Sequence, residues 1–260
     1  MTEWKASEYA RISGLQAAMA AEVMALLDLQ GGERVLDIGC GNGKNTSEIA
    51  ARVPRGSVVG VDFSSDMVAF ASAHYDATHP NLRFEVADAR HLPFQSEFDL
   101  VVSFNALHWI PEQELALRSI HAALKPDGRA QLRLVPKGER KSLENVLEET
   151  RLAERWRQHF ISFHDPYLHL TAEEYVALAE ANGFRIGRVQ AVPKAWDFES
   201  REAFFAFGSV TFVEWTQHLP EAERPAFIGD VLDRYRLVAA DARGEENFFR
   251  FYQMDILLTK

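Results

Sequence analysis

Val35-Leu36-Asp37-Ile38-Gly39-Cys40-Gly41-Asn42-Gly43-Lys44, followed by Val58-Val59-Gly60-Val61-Asp62, decides the fold. An apolar strand runs into a turn with glycines at alternate positions, a helix follows, and a second apolar strand ends on an acid. Glycines let the backbone approach a ligand closely, in dihedrals that a Cβ forbids. Asp62 falls where a parallel α/β unit sets a carboxylate against the two ribose hydroxyls of a nucleoside. The spacing narrows the cofactor: a dinucleotide loop usually reads G-x-G-x-x-G and wraps a pyrophosphate, whereas this loop reads G-x-G-x-G. Gly43-Lys44 is followed by Asn45, so the G-K-[ST] context of a phosphate-binding lysine is missing as well.

The alternation continues outward. Strands are expected near 34–38, 58–62, 82–87, 99–104 and 129–135, with helices near 45–53, 64–75 and 112–124 between them. Such an order forces parallel pairing with right-handed crossovers, and ligands then gather at the carboxyl ends of the strands where strand order reverses. Asp37, Asp62, Asp88 and Asn105 all lie at such ends. Two further strands are expected at 184–192 and 248–258, the second alternating as an antiparallel edge does. Upstream, Leu15, Met19, Val23, Leu26 and Leu27 recur at helical spacing, and Gly31-Gly32 stops that helix. The domain plan is one chain-long unit: a helical cap over 1–30, a cofactor-binding core over 31–136, two helical lid segments at 137–170 and 195–246, and a final strand over 247–260. Trp196, Phe198, Phe204, Phe205, Phe207, Phe212 and Trp215 either pack the second lid onto the domain or wall an apolar pocket.

Composition bounds the function. The 260 residues, 47% hydrophobic and 25% charged, are those of a soluble globular protein with ample core. A net charge of −10 opposes a nucleic-acid substrate, since affinity for polyphosphate comes mostly from Lys and Arg. Cys40 is the single cysteine, so no intramolecular disulfide forms, and no Cys/His spacing resembles a zinc site. His164-Asp165-Pro166-Tyr167-Leu168-His169 lacks an evident third metal ligand and reads as a polar loop. Neither a leader nor a membrane span is seen, and a cytoplasmic location without an obligate protein partner is the expectation.

The strand, the loop and the ribose acid resemble the class I methyltransferases that use S-adenosylmethionine. The likeness extends through Phe84-Glu85-Val86-Ala87-Asp88-Ala89, Leu92-Pro93-Phe94, Phe98-Asp99-Leu100-Val101-Val102-Ser103 and Leu124-Lys125-Pro126-Asp127-Gly128. It implies an α/β fold: a Rossmann-like, seven-stranded, mostly parallel sheet with helices on both faces and a helical lid insertion. It also implies that Asp37, Gly39, Cys40, Gly41, Asn42 and Gly43 surround the amino-acid part of the cofactor, that Asp62 and Phe63 receive ribose and its surroundings, and that Asp88 and Ala89 receive adenine. Met67 either packs on adenine or is a core methionine at a helix start, where Asp66 suits the dipole. Asn105 and Arg11 complete the expected cofactor set, Arg11 against the methionine carboxylate.

Tyr9-Ala10-Arg11-Ile12-Ser13-Gly14-Leu15-Gln16 and Leu107-His108-Trp109-Ile110 resemble a narrower group, the trans-aconitate and juvenile hormone acid methyltransferases, which esterify small carboxylic acids. The resemblance assigns Gln16 and Trp109 to holding the acid. Methyl transfer is an in-line displacement in which orientation supplies about 7 to 11 kcal/mol of the barrier. An ionised carboxylate needs no base, whereas a hydroxyl or carbon acid does. His108 therefore either donates a hydrogen bond to the acceptor, acts as the base, or packs on the cofactor rim. Arg11 and Arg133 are candidates for a bidentate pair with a substrate carboxylate, Arg133 being alternatively a strand residue facing solvent. Ser103-Phe104-Asn105-Ala106 stands where enzymes acting on planar amino groups carry an Asn/Asp-Pro-Pro-aromatic element. The acceptor expected is a small organic molecule, most simply a carboxylate; the rivals are a phenolic or enolic acceptor, and a protein that binds the cofactor without turnover.

Overall fold

The computed structural model describes residue 19, residues 22–167 and residues 170–260. Seven strands form one sheet: β1 (Arg34–Ile38), β2 (Ser57–Asp62), β3 (Leu82–Val86), β4 (Phe98–Phe104), β5 (Leu124–Leu134), β6 (Arg185–Asp197) and β7 (Phe248–Thr259), in the order β3-β2-β1-β4-β5-β7-β6. The first five pair in parallel, and β7 runs antiparallel to β5, with Arg129 opposite Thr259 and Leu134 opposite Met254. The expected mostly parallel, seven-stranded sheet is thus present. Helices α1 (Lys44–Arg52), α2 (Ser65–Tyr75) and α3 (Gln113–Ala123) connect the parallel strands. Further along come α4 (Leu143–Leu152), α5 (Ala172–Ala181), α6 (Arg201–Thr211), α7 (Val213–Thr216) and α8 (Arg224–Ala239).

The chain divides into two compact units. In the sheet unit, whose described residues are 19, 22–136, 170–191 and 253–260, the strands read as continuous apolar runs because both faces are covered. Val35, Val58, Leu100 and Val102 pack with Ile49, Ala50, Val68 and Ala71 on one side; Leu36, Val59, Val101 and Leu132 pack with Leu117, Ile120, Tyr175 and Ala179 on the other. The sequence reading gives no helix over 172–181. Thr171 and Glu174 nevertheless close a capping box that starts α5. β5 begins earlier than expected, at Leu124, because Leu124 pairs with Phe98 before the register shifts to Leu100 opposite Arg129.

The second unit takes in residues 137–167 and 192–252 and is mainly helical. Its core is aromatic: Trp156, Phe160, Phe198, Phe204, Phe207, Phe212, Trp215, Phe227 and Tyr235 are buried. The indole N–H groups are satisfied inside it, Trp156 donating to Asp230 at 2.8 Å and Trp215 to Glu148 at 2.7 Å. Five of the seven rings singled out between Trp196 and Trp215 are buried; Trp196 and Phe205 are half-buried.

Candidate active site

Because β1 to β4 are parallel, their carboxyl ends share one edge of the sheet, and β1 lies between β2 and β4 at the point where strand order reverses. The glycine loop leaves β1 there. The N–H groups of Gly39 and Cys40 both donate to the Val61 carbonyl, at 2.8 and 3.0 Å, so the loop folds across β2. Gly39, Gly41 and Gly43 all have positive φ, +73°, +54° and +80°, but for different steric reasons. A Cβ on Gly39 would stand 2.2 Å from the Ala106 Cβ, and one on Gly43 would stand 2.7 Å from Ala71 and Phe84. At Gly41 a Cβ would meet no atom of the described residues beyond its chain neighbours within 4 Å. The outer glycines are demanded by the protein's own packing, and the middle one borders open space. Asn42 accepts the Lys44 N–H at 3.2 Å as α1 begins. Burial pushes the Cys40 thiol well up, and the charges of Asp37 and Asp62 add to the rise, so this residue is not a thiolate nucleophile.

Asp62 closes the loop from the other side: one carboxylate oxygen accepts the Gly41 N–H and the other the Ser64 N–H, each at 2.9 Å. Asp37 is 2% exposed and accepts the Thr46 hydroxyl at 2.7 Å. Burial raises its carboxyl to about 7; the Thr46 bond works against this and the Asp62 charge with it. Phe63 and Val86, at the ends of neighbouring strands, are 42% and 57% exposed, an apolar surface at the carboxyl edge. Ser64 caps α2 by accepting the Met67 N–H at 3.3 Å. Met67 and Ala89 are buried. Asp88 is clasped by Arg90, whose guanidinium reaches both oxygens at 2.7 to 3.0 Å. Partial burial opposes the Asp88 charge, yet the bonds from Arg90 outweigh it and hold the carboxyl below the usual range.

After β4 the chain enters the left-handed region at Asn105, φ 58°, a conformation that asparagine tolerates better than most residues. Its N–H donates to the Arg133 carbonyl at 2.9 Å, while its buried side-chain oxygen accepts no hydrogen bond from the described residues. A short 3₁₀ turn, Leu107–Trp109, follows. Gln113, buried in the first turn of α3, pins it by donating to the carbonyls of Leu107 and Ile110. His108 is 4% exposed, its Nδ1 accepts the Val135 N–H at 3.4 Å, and burial lowers its pKa to about 3. A ring that accepts at Nδ1 carries its proton on Nε2, so His108 is a neutral donor at that atom. The half-buried Trp109 ring lies 5.7 Å from it, centroid to centroid.

Arg133 fits neither reading made of it. It is 2% exposed and bonds both oxygens of Asp255, its partner across β5 and β7, at 2.7 and 2.9 Å. Arg11, Gln16 and His169 lie outside the described residues. His164 bonds the Ser162 carbonyl at 3.1 Å. Sequence reasoning did not single out Thr46, Arg90 or Gln113. Arg90 was findable, two residues from Asp88; Gln113 carries no local signal.

Residues 35–128 match the family model described as a methyltransferase domain. Trans-aconitate 2-methyltransferase of Deinococcus radiodurans is 35% identical over 125 residues, which span 48% of this chain and 46% of that one, about half of each. Trans-aconitate 2-methyltransferase of Shigella flexneri is 26% identical over 236 residues, 88% of this chain and 86% of that one. Among solved structures, phosphoethanolamine N-methyltransferase 2 of Haemonchus contortus in complex with S-adenosyl-L-methionine superposes with a TM-score of 0.60 at 18% identity, over 94% of this chain and 52% of that chain, a likeness of fold. The chain carries a methyltransferase domain of the class I type, for which S-adenosylmethionine is the methyl donor. Within that class it resembles the trans-aconitate 2-methyltransferases.

Proposed function

We propose that this enzyme transfers the methyl group of S-adenosylmethionine to a carboxylate oxygen of a small organic acid. The observation that carries the reading is the state of His108. A buried, neutral imidazole with its proton on Nε2 offers a hydrogen bond and is a poor base at neutral pH. Such a donor suits an acceptor that arrives already ionised, and a carboxylate does. A phenol or enol would need a group able to take its proton.

The cofactor offers donors where this edge of the sheet offers acceptors. The ribose hydroxyls fit the Asp62 carboxylate, whose oxygens are already fixed by Gly41 and Ser64. The α-ammonium of the methionine part fits the Asp37 side, and the Asn105 oxygen, which accepts no hydrogen bond from the described residues, suits a further donor. Gly41 allows close approach, and Phe63 and Val86 offer an apolar surface to a planar base. Arg11, Cys40, Asn42, Met67, Asp88 and Ala89 belong to the same proposed cofactor set, and Gln16 and Trp109 join His108 on the acceptor side. S-adenosylmethionine, when bound, supplies an electrophilic methyl carbon; the protein's part is to orient the acceptor oxygen in line with it. A lid role for the segments 137–170 and 195–246 and a cytoplasmic setting complete the proposal. Among the described residues no helix is long and apolar enough to cross a membrane.

Incubation with methyl-labelled cofactor and a panel of acids and phenols tests the reading. Label in base-labile esters supports it. Label confined to base-stable ethers or amines, or binding of cofactor without turnover, overturns it.

A further inference from the structure

Four arginines donate to backbone carbonyls near the start of the described chain. Arg133 reaches Met19 at 3.2 Å, Arg52 reaches Met24 at 2.8 Å, Arg129 reaches Asp28, and Arg55 reaches Gln30 at 2.8 Å. Residues 22–26 are helical, so the Met24 bond satisfies a carbonyl of its last turn, which the helix itself leaves open. Of the four, Arg133 alone is buried. Its Nε and Nη2 are committed to Asp255, and that fork fixes the guanidinium plane. Nη1 is then aimed at the Met19 carbonyl and at the Glu22 carboxylate, 3.4 Å away, while the amide of Gln253 on β7, turned so that its oxygen faces the guanidinium, accepts from Nη1 at 3.2 Å. The same stretch of β5 holds the residues after β4: the Arg133 carbonyl takes the Asn105 N–H, and the Val135 N–H meets His108.

We propose that Arg133 is a positioning residue for methyl transfer: it holds Met19 and Glu22 against the carboxyl end of β5, the stretch that also fixes Asn105 and His108. The acceptor side of the inference rests on the carboxylate reading above. Lysine cannot replace it, because one ammonium cannot hold a carboxylate by two parallel bonds and still reach the Met19 carbonyl.

The test compares the wild-type chain with Arg133→Gln/Asp255→Asn, which exchanges the ion pair for neutral amides and strands no buried charge. Amide hydrogen exchange in residues 22–26 is expected to quicken about tenfold or more, with the amides of β1 to β4 unchanged. With trans-aconitate as probe acceptor, its KM is expected to rise about fivefold or more while the affinity for S-adenosylhomocysteine stays within about twofold. Unchanged exchange in residues 22–26 overturns the proposal, as does faster exchange with unaltered acceptor KM. A wild-type chain that esterifies no acid overturns the carboxylate reading instead, and exchange alone then decides the seating. Should the double variant not fold, Glu22→Gln, which leaves the Arg133–Asp255 pair intact, is expected to move both readouts in the same direction by about twofold.

Discussion

Thr46 donates its hydroxyl to the Asp37 carboxylate at 2.7 Å, and that is the only hydrogen bond found for this acid among the described residues, 2% exposed at the end of β1. One neutral donor does not offset desolvation together with the charge of Asp62, which is why the carboxyl rises to about 7. The unfolded chain releases this proton near pH 4. Between pH 4 and 7 the native state therefore holds a proton that the unfolded state lacks, and stability falls as pH rises through that window. Asp37→Asn, fixed in the neutral form, should gain on the wild type by on the order of 2 to 4 kcal/mol from pH 4.5 to pH 8. Urea unfolding of both proteins across that range checks it; parallel curves would remove the effect. The same variant should bind cofactor less tightly, having lost its charge.

His108 shifts the other way. Its folded pKa of about 3 lies below the ordinary value of 6.5, so the unfolded state takes the extra proton and stability rises with pH up to about 6.5. The rate profile should accordingly show no histidine limb between pH 6 and 8. A limb in kcat near pH 6.5 that disappears in His108→Gln would sink the assignment of a neutral donor and revive the base.

The glycines can be separated by substitution. Gly39→Ala adds a methyl group 2.2 Å from the rigid Ala106 Cβ in addition to left-handed strain, and should cost about 3 to 5 kcal/mol of stability. Gly41→Ala meets no non-neighbouring atom among the described residues and should cost only the strain, about 1 to 2 kcal/mol. Yet Gly41→Ala should weaken cofactor binding about tenfold or more, because its Cβ enters the space the proposed cofactor site uses. Calorimetry on both variants decides this; a Gly41→Ala protein of normal affinity would move the cofactor elsewhere.

Asp62→Ala should weaken S-adenosylhomocysteine binding by about 1 to 3 kcal/mol, through the lost charge-assisted bonds to ribose. Part of that cost is indirect, since the Gly41 N–H loses its acceptor and the loop its brace. Asp62→Asn keeps one acceptor oxygen and should fall between the two. Affinity unchanged in Asp62→Ala would strike this acid from the site.

Gln113→Leu tests the turn after β4. The Ile110 carbonyl loses the Gln113 donor and the Leu107 carbonyl is left with the Ile110 N–H alone, so stability should drop by about 1 to 3 kcal/mol. Acceptor turnover should fall further than cofactor affinity, because His108 and Trp109 sit on that turn. Equal losses in both would make Gln113 a residue of the core alone.

The parts of the site legible in the sequence are those whose physics is local. A strand, a bend that needs positive φ at alternate residues, and a helix start are written within ten residues, and Gly39, Gly41 and Gly43 can be read there without any distant partner. The five parallel strands follow for the same reason: each apolar run and each connecting helix declares its own period, and the crossover rule leaves little choice of order. The Asp62 position follows from the length of one strand-helix-strand unit.

What the sequence by itself determined is therefore the sheet, the loop and the row of acids along its carboxyl edge. Tertiary structure alone decided what those side chains are chemically. Arg133 reads in the sequence as a partner for a substrate carboxylate or as a strand residue facing solvent, but antiparallel pairing sets it against Asp255, 122 positions away, and the arginine is buried. His108 reads as a residue that titrates near neutrality, and it is burial, with the Val135 N–H at Nδ1, that lowers its pKa to about 3 and keeps it uncharged at neutral pH. Charge state and hydrogen-bond role depend on which distant atoms exclude water from a group, and strand pairing brings those atoms together only in the folded chain.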